Sequence, residues 1–78
     1  MPFVASTEVW NIKSNLKKIL ILLLTQQKDG SWVATVYFTI NGIVNAHHEC
    51  RSEKKAAFSN ACKWVLANLD QQARFTRL

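Results

Sequence analysis

Residues 47–50 read His-His-Glu-Cys and Cys62 follows, so one part of the chain offers the imidazole, carboxylate and thiol groups of zinc sites and nucleophile pairs. Their placement argues against both. Successive residues of a strand point to opposite faces, so His47 and His48 cannot converge on one ion without a bulge. Cys62 falls in the apolar stripe of a helix, and neither CxxC nor any other metal-ligand spacing accompanies the two cysteines. His48 shares a face with Cys50 but has no evident carboxylate to orient it, and no glycine-rich phosphate cradle is present. The expectation is a protein without catalysis, metal or cofactor.

Two other groupings offer binding rather than chemistry. Lys54 and Lys55 open a helix, where ammonium groups and unpaired backbone N–H donors can meet phosphates; the alternative is a solvated first turn. Lys13 would join them from a first helix. The second grouping is a strand, Ile43, Val44, Asn45, Ala46, His47, His48 and Glu49, ending at Cys50. It holds no Pro or Lys and one charge, Glu49, so as a sheet edge it is poorly protected from pairing with another chain. Trp64, on the flank of the following helix, would either fill a partner's pocket or cap its own core.

These groups need elements to position them. From Ser52 to Leu69, Ala57, Phe58, Ala61, Cys62, Val65 and Leu69 recur at helical intervals with no Gly or Pro, and Ser52 is a suitable N-cap. Ser31 to Ile40 alternates, with Trp32, Ala34, Val36, Phe38 and Ile40 on the face toward the helices. Asn41-Gly42 is the favoured two-residue hairpin turn, so Ile43 to Cys50 returns antiparallel. Near the start, Ser6 or Thr7 caps a first helix with Val9, Ile12 and Leu16 inward and Trp10 beside them. Residues 18–27 fit either period. Their leucines favour extending that helix, whereas a strand before the turn at 28–31 completes a sheet, and the strand is adopted. With apolar residues on both of its faces, such a strand leaves one row without cover.

The totals agree with a single small domain. Seventy-eight residues lie near the lower limit for a self-sufficient core, so a partner would help. The net charge of +5 admits an anionic partner, yet no basic run exceeds two residues. Two cysteines without a secretion signal fit a reducing compartment, cytoplasm or nucleus, and the apolar run from Ile19 to Leu24 is too short for a membrane span.

Lys54 to Leu69 resembles the second helix of double-stranded RNA-binding domains, which carries Lys-Lys-x-Ala-Lys followed by small-residue pairs and a final Leu. Trp32 to Gly42 is similar to that family's aromatic-x-Ala-Thr-Val strand ending in Asn-Gly. The resemblance implies an α+β fold of order α-β-β-β-α, two helices on one face of a three-stranded antiparallel sheet. It would span residues 6–70, after a lead at 1–5 and before a frayed tail at 71–78. Two departures redirect the function. The third lysine of the basic cluster is Phe58, and the Gly-Pro-x-His loop is replaced by Lys28-Asp29-Gly30-Ser31. Some members of the family serve as dimerisation modules in small-RNA processing. The resemblance therefore implies a protein–protein interaction module of a double-stranded RNA-binding or silencing protein, pairing with itself or a related domain through the third strand and second helix. Duplex RNA binding through Lys54, Lys55 and the first helix is the alternative.

Overall fold

The computed structural model describes residues 7–15 and 19–78. Its strands are β1 (Thr7–Lys13), β2 (Ile19–Gln26), β3 (Trp32–Ile40) and β4 (Ile43–Arg51), followed by helix α1 (Lys54–Asn68) and strand β5 (Arg74–Arg77). All pairings are antiparallel, in the order β4-β3-β2-β1-β5. Because β4 and β5 run in the same direction at opposite margins, they need a crossover, and α1 with its following turn supplies it.

Turn chemistry fixes the hairpins. Gly30 takes φ +92° in the β2–β3 turn, where the Asp29 carboxylate accepts from the Ser31 N–H at 2.9 Å and from its hydroxyl at 2.6 Å. Asn41 and Gly42 have φ of 51° and 80°, the double positive pair that a tight two-residue hairpin requires. Ile40 and Ile43 close that hairpin, and the register then runs unbroken to Trp32 and Arg51.

The alternation of side chains divides the sheet into two unlike faces. Trp10 and Ile12 of β1, Leu22 and Leu24 of β2, and Ala34, Val36 and Phe38 of β3 lie beneath α1. The helix presents Ala57, Ala61 and Val65, one turn apart and each fully buried. Two small side chains in that row bring the helix backbone close to the sheet. The fully buried Leu22, Leu24, Val36 and Val65 each contribute about 1.5–3 kcal/mol by leaving water. The opposite face has no covering layer among the described residues.

The expected α-β-β-β-α order is thus corrected, among the described residues, to β-β-β-β-α-β, one helix on a five-stranded sheet. The first helix is absent from Thr7 to Lys13; its inward Leu16 and its possible cap Ser6 lie outside the described residues. Val9 and Ile12 are three apart, a spacing that also fits a helix, but Glu8, Trp10 and Ile12 share a strand face. The alternating reading wins because Trp10 and Ile12 then pack beneath α1, while Leu22 is a direct neighbour in β2. The expected fraying also gives way at Arg74–Arg77, which pairs with β1 and places Phe75 opposite Ile12. The resemblance has therefore led to the wrong sheet and helix count. The apolar spacing of residues 52–69 and the Asn41-Gly42 turn place α1 and the β3–β4 hairpin correctly, although the helix is preceded by Glu53, not Ser52, at the N-cap. The strand adopted for residues 18–27 is β2, over Ile19–Gln26.

Candidate functional site

Strand β4, nine residues long, forms one margin of the sheet. In a two-residue hairpin the closing pair exchanges both hydrogen bonds, so Ile43, Asn45, His47, Glu49 and Arg51 direct their N–H and C=O groups to β3. Those of Val44, Ala46, His48 and Cys50 point outward. The other margin, β5, is four residues long and carries Arg74 and Arg77, so it is short and charged where β4 is long and nearly neutral.

The charge on β4 is balanced within the strand. Glu49 accepts from Arg51 at 3.0 Å and contacts the His47 imidazole, with 16% of its side chain exposed. An approaching strand meets a carboxylate already paired, not a repelling charge. The His47 ring stacks on Trp64, and Phe38 lies 5.4 Å from the same indole, so Trp64 is turned onto its own sheet and braces β4 from the helix side. At the hairpin tip Ile40, Ile43 and Val44 are exposed by 52%, 68% and 60%, an apolar end to the open margin.

The histidines separate as strand alternation requires. His47 lies under the helix, whereas His48 is on the uncovered face, its Nδ1 2.9 Å from the Thr35 hydroxyl. Cys50 is exposed on that same face and Cys62 is half-buried in α1, its thiol pushed up to about 11 by burial. Among the described residues no three His, Cys, Asp or Glu side chains gather in a metal-holding group.

The three lysines expected to meet RNA are not brought together. Lys54 forms an ion pair with Glu8 and lies 5.4 Å from the centre of the Trp32 ring. Glu8 also accepts from the Trp10 indole N–H at 3.2 Å and has Arg77 at 3.9 Å. Lys55 borders the cleft formed there, but Lys13 is at the far end of β1 and on the opposite face, opposite Arg74. Phe58 packs inward, 4.5 Å from Trp10 and 6.3 Å from Phe75 between ring centres. Sequence reasoning missed Glu8: a helix over these residues would put it in an exposed first turn, whereas in the strand residues 8, 10 and 12 share the face beneath α1.

No helix among the described residues is long and apolar enough to cross a membrane. Comparison of the chain with protein-family models, curated proteins and solved structures returns no match.

Proposed function

We propose that this chain is a non-catalytic pairing module that joins a second copy of itself through β4, extending its sheet across the interface by strand addition. The observation that carries this reading is the unprotected margin: outward backbone groups at Val44, Ala46, His48 and Cys50, no unpaired carboxylate, and an apolar tip. Opposing β5 is unsuited to the same role by length and charge. Strand addition satisfies the outward backbone groups of β4 and buries surface that a chain of this size otherwise leaves to solvent. The duplex RNA alternative has less support, because Lys54 is engaged by Glu8 and Trp32 and Lys13 stands on the other face.

Sedimentation equilibrium of the wild type and Ala46→Pro tests the proposal. The Ala46 N–H points outward, so proline removes a donor to the partner without removing a bond to β3. The expected result is a concentration-dependent dimer for the wild type and a folded monomer for the variant. A wild type that stays monomeric into the high micromolar range overturns it.

A further inference from the structure

The uncovered face of the sheet carries none of the chain's five carboxylates. Glu8 and Glu49 lie on the helix side by register, Asp29 is in the β2–β3 turn, Glu53 precedes α1, and Asp70 sits in the turn before β5, where it accepts from the Ser14 hydroxyl at 2.7 Å. The face instead holds Lys13 and Arg74 as an exposed cross-strand pair, with His48 towards the other margin. Between them one row runs Ala46, Tyr37, Ile21, Asn11 and Thr76. The Tyr37 ring, half-buried and bordered by the small Ala46, is the aromatic platform of that row.

We infer that this face binds single-stranded nucleic acid, with a base stacked on Tyr37 and phosphates held by Lys13 and Arg74. Charge complementarity selects the occupant. A second copy docked face to face would enclose the cations of both faces in a dry interface that holds no carboxylate from either to neutralise them. A polyanion with planar, partly apolar bases satisfies both the cations and the half-buried aromatic and aliphatic surface. A duplex hides its bases, so the stacking half of the recognition is lost and single strands are preferred. The inference is independent of pairing through β4, since both cations lie at the opposite side of the sheet.

Fluorescence anisotropy with labelled uridine and thymidine homopolymers of about 20 nucleotides, and the corresponding duplexes, tests it from about 50 to 200 mM salt. Expected is single-strand binding that weakens with salt, by about tenfold on Tyr37→Leu and by at least as much on the double reversal Lys13→Glu with Arg74→Glu. Tyr37→Phe retains binding because the ring is kept, and Lys63→Ala on the exposed side of α1 leaves it unchanged. Circular dichroism establishes that each variant is folded; should Tyr37→Leu fail to fold, the charge reversal and the phenylalanine variant still decide. The inference is overturned by absence of binding at the lowest salt, by equal or better duplex binding, by insensitivity to the charge reversal, or by face variants that dissociate a dimer formed without nucleic acid.

Discussion

The imidazole of His47 lies flat on the indole of Trp64, with ring centres 3.9 Å apart and planes 7° from parallel. This stack fastens the middle of an edge strand to α1, so β4 is held in extended form before any partner arrives. An ordered strand loses less conformational entropy on pairing than a mobile one. Trp64→Ala removes the brace from His47 and the cover from Phe38. It is expected to destabilise the fold by about 3 kcal/mol in urea unfolding and to weaken dimerisation measured by sedimentation. A variant unchanged in both contradicts the bracing role.

Phe58 joins Trp10 and Phe75 in an aromatic group that ties α1 to β1 and β5. Phe58→Lys, which places a cation where the RNA-binding pattern has one, is expected to cost about 3 kcal/mol of stability, since it removes a packed ring and brings in a charge. No duplex RNA binding should appear in a gel shift, because Lys13 remains on the far face. Retained stability together with new duplex binding would show that the helix face works as the family resemblance implies.

Glu8 has only 10% of its side chain exposed and is neutralised by Lys54, with Arg77 near and the Trp10 N–H donating. Glu8→Gln leaves two cations facing a neutral group at the junction of β1, β5 and α1. The expected loss is about 1–3 kcal/mol in thermal or urea unfolding, smaller than for a fully buried pair because Lys54 is 42% exposed. Raising salt should narrow the gap between variant and wild type.

The pH limits of the fold follow from groups with displaced titration. Burial raises the Cys62 thiol from 9.0 to about 11, so the unfolded chain ionises first and stability falls as pH rises through that interval. At the acid end, the Ser14 hydroxyl and the Gln72 N–H hold the Asp70 carboxyl below its ordinary range. Its contribution is present above the ordinary carboxylate value and is lost as pH falls through the depressed one. Thermal unfolding across pH checks both limbs; Cys62→Ala should flatten the alkaline one. A thiol-reactive dye at neutral pH is expected to label the exposed Cys50 quickly and the half-buried Cys62 more slowly, the difference vanishing on unfolding.

Much of this architecture was legible where one signal dominated. Asn41-Gly42 between alternating runs fixed the β3–β4 hairpin, and small residues at 57 and 61 fixed the buried side of α1. The open margin at 43–50 and the inward Phe58 followed from those elements. The start of the chain misled, because Val9, Trp10 and Ile12 satisfy a period of three or four as well as a period of two, and only the neighbouring leucines of β2 separate them. Strand β5 carried almost no signal: four residues with one apolar side chain, Phe75, pair only because β1 offers a free side. The uncovered face was foreseen in outline from the two apolar rows of β2, but its lack of carboxylates depends on register and could not be read before the strands were placed.

Hydrogen exchange at the outward amides of β4 tests the central claim most directly. If β4 pairs with a second copy, the N–H groups of Ala46 and His48 exchange near the open-chain rate in dilute solution and become protected as concentration rises, while those of Asn45 and His47 are protected throughout. If Ala46 and His48 exchange equally fast at every concentration, strand addition through this margin does not occur.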